Sequence, residues 1–69
     1  MGDSISVNGI ERPLTDKTVG ELLATENVDL DARFLAVAVN GAVVPRAEWN
    51  AAPVAADDDV EIVRPAPGG

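Results

Sequence analysis

Polar and apolar residues alternate near the start of the chain, where Ser4-Ile5-Ser6-Val7-Asn8 sets Ile5 and Val7 on one side of a strand. Asn8-Gly9 comes next. Both residues tolerate the positive φ that a two-residue type I′ turn demands, so Ile10 to Leu14 is predicted to return as a second strand. Pro13 has no N–H to give a ladder, which makes that strand an edge or an ending. The apolar period then lengthens. Val19, Leu22 and Leu23 recur at i, i+3 and i+4, one face of a short amphipathic helix. Thr18-Val19-Gly20-Glu21 carries the spacing of a capping box, with the Thr18 hydroxyl meeting the Glu21 amide and Glu21 reaching back to Thr18. Asn27 suits the left-handed helix end, and Gly20 in the first turn costs about 1 kcal/mol relative to Ala.

Phe34 to Val39 reads as the clearest strand, with Leu35, Val37 and Val39 on one face and Phe34, Ala36 and Ala38 on the other. Both faces are apolar. Such a strand is either central and covered on both sides, or its small-residue face is left open for a partner. Asn40-Gly41 supplies a second hairpin turn into Ala42-Val43-Val44, which Pro45 stops. Pro45 to Trp49 reads as a turn or a short 3₁₀ or helical piece with Trp49 folding back into the core, Asp57-Asp58-Asp59 as a solvated turn, and Val60-Glu61-Ile62 as the last strand. Two prolines and two glycines make Pro65-Ala66-Pro67-Gly68-Gly69 unfit to continue a sheet. The predicted organisation is a domain over residues 1–64 and an extended tail over 65–69.

Four to five strands and one helix imply an α+β layer, sheet against helix, because a single helix covers only one face of a sheet. The expected core is Ile5, Val7, Val19, Leu22, Leu23, Leu35, Val37, Val39, Trp49, Val60 and Ile62.

Composition narrows the chemistry. With 69 residues the chain makes one small domain, which buries only about 60% of its unfolded surface. It contains no Cys and no His, so it builds no disulfide framework, no thiolate or imidazole metal site and no Cys/His or Ser/His dyad. A net charge of −7 is repelled by phosphate backbones, which argues against nucleic acid and for partners with basic docking surfaces. No apolar run approaches the roughly 20 residues of a membrane span, and Met1-Gly2-Asp3-Ser4 lacks the basic and apolar regions of a signal peptide. The expected location is cytoplasmic.

Asp57-Asp58-Asp59 lacks the spacing of a calcium loop, and the chain has no Gly-rich phosphate loop, so neither a metal site nor an enzyme active site is expected. The remaining candidate is the end at Gly68-Gly69. One reading is a frayed terminus. In the other, glycines without a Cβ thread a narrow channel of another enzyme and present the Gly69 carboxylate to the α-phosphate of ATP. The product would be an acyl-adenylate, activated for a sulfur or nitrogen nucleophile.

The order of elements resembles the β-grasp, or ubiquitin-like, fold, and the motifs resemble the ThiS family of thiamine-biosynthesis sulfur carriers. The resemblance rests on Ile5-Ser6-Val7-Asn8-Gly9, Val37-Ala38-Val39-Asn40-Gly41, the Val-Pro-Arg-x-x-Trp signature at Val44 to Trp49, and Gly68-Gly69. It covers nearly the whole chain. It implies a carrier, not an enzyme, whose Gly69 is adenylated by a ThiF-type enzyme that consumes ATP and is then converted to a thiocarboxylate with sulfur from a persulfide donor. Thiazole synthase would take that sulfur for the thiazole ring. Gly68 carries over as the channel-threading neighbour, and no bound cofactor is implied.

The small subunit of molybdopterin synthase shares the fold and the Gly-Gly end, and Pro65-Ala66-Pro67 resembles its Pro-containing end. A ubiquitin-like modifier, joining Gly69 to lysines, is the third reading. The partner interface is expected at Phe34, Ala36, Ala38 and Val63, with Arg46 tying down a loop or touching the partner, and the free chain is expected to be a monomer.

Overall fold

The computed structural model describes residues 3–29, 31 and 34–64. Both Asn-Gly pairs turn as their chemistry demands, with Asn8 and Asn40 at φ 52 and Gly9 and Gly41 at φ 81 and 84. The first joins β1 (Ser4–Val7) to β2 (Ile10–Pro13) in the register Val7↔Ile10. The second joins β3 (Ala36–Val39) to β4 (Ala42–Val43) in the register Val39↔Ala42. The last strand, β5 (Asp59–Val63), lies between the hairpins, parallel to β1 and antiparallel to β3. The order β2-β1-β5-β3-β4 makes one mixed sheet of five strands, the β-grasp arrangement expected of the sequence. Pro13 stands on an edge strand, where a missing N–H breaks no ladder.

One helix, α1 (Val19–Thr25), covers one face of this sheet. Its first N–H groups find partners outside the helix: Val19 donates to the Ala52 carbonyl (2.9 Å), Gly20 to the Trp49 carbonyl (2.8 Å) and Glu21 to the Thr18 hydroxyl (3.2 Å). Half of the expected capping box differs. The Glu21 carboxylate accepts from the Lys17 N–H at 2.8 Å rather than from Thr18, which is held extended in a bridge to Pro53.

The helix ends in a Schellman motif: Asn27, at φ 61, donates to Ala24, and Val28 donates back to Leu23. A Cβ at Gly20 would meet Asn50 Oδ1, the tip of a side chain that can turn aside, while the Trp49 carbonyl at 3.4 Å is at ordinary contact distance.

The core gathers Ile5 and Val7 of β1, Val37 of β3, Val60 and Ile62 of β5, and Val19, Leu22 and Leu23 of α1, with Leu35 and Trp49 closing it. Val28 and Val54 join them, neither foreseen, while Val39 is only partly buried. Trp49 follows the 3₁₀ turn Arg46–Glu48 and spends its indole N–H on the Val44 carbonyl at 2.9 Å, so its ring is buried without an orphaned donor. On the outer edge Arg12 reaches Glu26 at 3.3 Å, a surface ion pair between β2 and the helix end.

Candidate functional site

The opposite face of the sheet carries no helix among the described residues. Side chains alternate along each strand, so β3 and β5 send Val37, Val60 and Ile62 inward and leave Ala36, Ala38, Glu61 and Val63 on the open side. The register sets these in two rows. Val63 stands opposite Ala36, and Ala38 lies between Glu61 of β5 and Val43 of β4. Phe34, 73% exposed, precedes β3 in the same alternation as Ala36 and Ala38. The result is a strip of apolar residues on the outer half of one sheet face, running to the last residue of β5.

The register brings Ala36, Ala38 and Val63 together, while Phe34 is exposed just before β3, and each of the four is at least partly exposed. Val43 is the member that the sequence reading missed. At 75% exposure it is the most exposed large apolar side chain of the described residues. Its position two residues after Gly41 of a type I′ hairpin sets it opposite Ala38, a pairing that could have been counted from the turn. Arg46 is in the 3₁₀ turn after β4, its guanidinium over the Trp49 ring at 4.7 Å from the centroid.

Charge surrounds the strip on the β5 side. Glu61 lies within it, and Asp59, two residues earlier on the same face, pairs with Ser6 of β1, which in turn stands opposite Glu11. The open face therefore carries an apolar strip from β3, β4 and Val63 of β5, with Glu61 and Asp59 of β5 and Glu11 of β2 as its acidic members. An apolar contact area with an acidic flank fits a partner surface that offers an apolar hollow bordered by Lys or Arg.

Asp58 is otherwise engaged, its carboxylate accepting from the Ala55 N–H at 2.8 Å and the Asn40 amide at 3.0 Å, which shapes the turn before β5. Gly68, Gly69 and the rest of the predicted tail lie outside the described residues. No described helix is long and apolar enough to cross a membrane.

Comparison with known proteins places this geometry in a family. The model of the ThiS family matches residues 5–69. Among solved structures, the thiamine biosynthesis protein ThiS of Geobacter metallireducens superimposes with a TM-score of 0.77 at 30% identity, covering 96% of this chain and 99% of that one. A search of curated proteins finds no match.

Proposed function

Because the chain belongs to the ThiS family, we propose that it is a sulfur carrier of thiamine biosynthesis whose reactive group is the Gly69 carboxylate. The observation that carries this reading is the family match, which spans residues 5–69 and so takes in Gly68-Gly69. A ThiF-type adenylating enzyme binds the open sheet face, and the two glycines, lacking Cβ atoms, enter its channel. A Gly69 carboxylate oxygen attacks the α-phosphorus of ATP, pyrophosphate leaves, and an acyl-adenylate forms. The terminal sulfur of a persulfide then displaces AMP from the acyl carbon. A thiol cleaves the resulting acyl disulfide by exchange and releases the thiocarboxylate. Thiazole synthase draws the sulfur from it for the thiazole ring.

None of these steps asks a side chain of this chain to move a proton or hold a metal. The fold supplies recognition: Ala36, Ala38, Val43 and Val63 give apolar contact, and Glu61 and Asp59 give the charge that a basic partner surface meets. ATP–pyrophosphate exchange with a ThiF-type enzyme tests the chemistry. The full chain supports exchange, and the chain without Gly69 does not. Undiminished exchange in the shortened chain would contradict the assignment.

A further inference from the structure

The two Asn-Gly turns match in sequence and backbone, yet their carboxamides do different things. Asn40 acts at the beginning of β5, accepting from the Asp59 N–H at 2.9 Å and donating to the Asp58 carboxylate at 3.0 Å. Asn8 acts near its end. Its Oδ1 accepts from the Ile62 N–H at 2.7 Å, and its Nδ2 donates to the Ile62 carbonyl at 3.2 Å, so both backbone groups of one residue are held by one side chain.

The reason lies in the topology. β1 pairs with β5 only at Ser6↔Asp59 and Val7↔Val60, and the Asn8 N–H adds a bond to the Val60 carbonyl at 2.9 Å. There the chain turns away into β2, and Ile62 loses the strand that would have paired with it. A primary carboxamide carries an acceptor oxygen and an N–H cis to it, so both can face the N–H and C=O of one residue, and Asn8 substitutes for the missing residue of β1. On its other side β5 stays paired with β3 as far as Ala36↔Val63.

We propose that Asn8 is a positioning residue for the C-terminal segment: its carboxamide extends the β1–β5 ladder to Ile62 and so fixes where the chain leaves the sheet beside the apolar strip. The functional consequence rests on the reading of Gly69 as the reactive group. A chain spans at most about 3.5 Å per residue, so the reach of the five residues after Arg64 depends on how firmly the end of β5 is held on both sides.

Asn8→Gly keeps the positive φ and removes the carboxamide, and Asn40→Gly makes the same change in the sibling turn, controlling for glycine entropy. In the full chain, hydrogen exchange followed by NMR is expected to quicken about tenfold at the Ile62 amide in Asn8→Gly and not in Asn40→Gly, the scale of one lost hydrogen bond. Asn8→Asp, which keeps the acceptor and loses the donor, falls between. In ATP–pyrophosphate exchange, Asn8→Gly lowers kcat by about three- to tenfold with KM for the carrier nearly unchanged, because the docking strip is intact. Asn40→Gly changes neither. Equal exchange at Ile62 in the two glycine variants, or equal kcat, overturns the positioning role. Should the unaltered chain fail to be adenylated, the sulfur-carrier reading falls, and exchange at Ile62 still decides what Asn8 does to β5.

Discussion

The two faces of the sheet are made from alternate residues of the same strands and do opposite things. On the closed face Val37, Val60 and Ile62 meet the helix and lie at 6% exposure or less; on the open face Val63 keeps 57% of its surface and Val43 keeps 75%. The inward side chains have Leu22, Leu23 and Trp49 to pack against, while no described element covers the outward ones. In β3 apolar residues alternate with apolar ones, and with Val43 and Val63 they give the sheet a second apolar surface that no described element covers. One face carries the core, and the other, one residue apart in sequence, is the surface to which the proposed function assigns recognition.

That division can be attacked from its strong side first. Leu23→Ala, at a fully buried position, is expected to cost about 3 kcal/mol in urea unfolding, a large share of the stability of a domain this small. A loss under about 1 kcal/mol would mean that the closed face is not the seat of stability. The mirror experiment is Ala38→Glu on the open face, beside Glu61. Its unfolding free energy should change by less than about 1 kcal/mol, while affinity for the adenylating enzyme falls about tenfold. Unchanged affinity would remove the strip from the interface.

Arg46→Ala separates the strip from the Val-Pro-Arg-x-x-Trp signature. Losing the guanidinium over Trp49 should lower stability by about 0.5–1 kcal/mol, visible as a small shift of the urea midpoint, with the partner affinity kept within about twofold. The smallest effect expected is that of ionic strength. Raising salt should weaken binding of both partner enzymes to this chain of net charge −7 severalfold and leave the unfolding midpoint nearly in place.

Much of this was legible in the sequence because local chemistry agreed with the global fold. Asn8-Gly9 and Asn40-Gly41 specify their turns by φ alone, and Thr18 caps a helix whose apolar period is unambiguous. What escaped depends on neighbours distant in the chain. Val28 is absent from the expected core, but as the residue after the Asn27 helix end it joins the core cluster. Val54 sits alone among Ala, Pro and Asp and is buried because its N–H is tied to the Lys17 carbonyl beside the Thr18–Pro53 bridge. The open strip was half visible, since Phe34, Ala36, Ala38 and Val63 follow from alternation, whereas Val43 needed the register of β4.

The central proposal is that the Gly69 carboxylate of this chain carries sulfur as a thiocarboxylate and is not joined to lysines. High-resolution intact mass of the protein purified from its own cells, with fragmentation to place the change, tests this most directly. A mass increase of one oxygen-to-sulfur exchange confined to Gly69 is the expected result. Isopeptide conjugates of Gly69 to lysines, or an unaltered carboxylate in cells actively making thiamine, would contradict it.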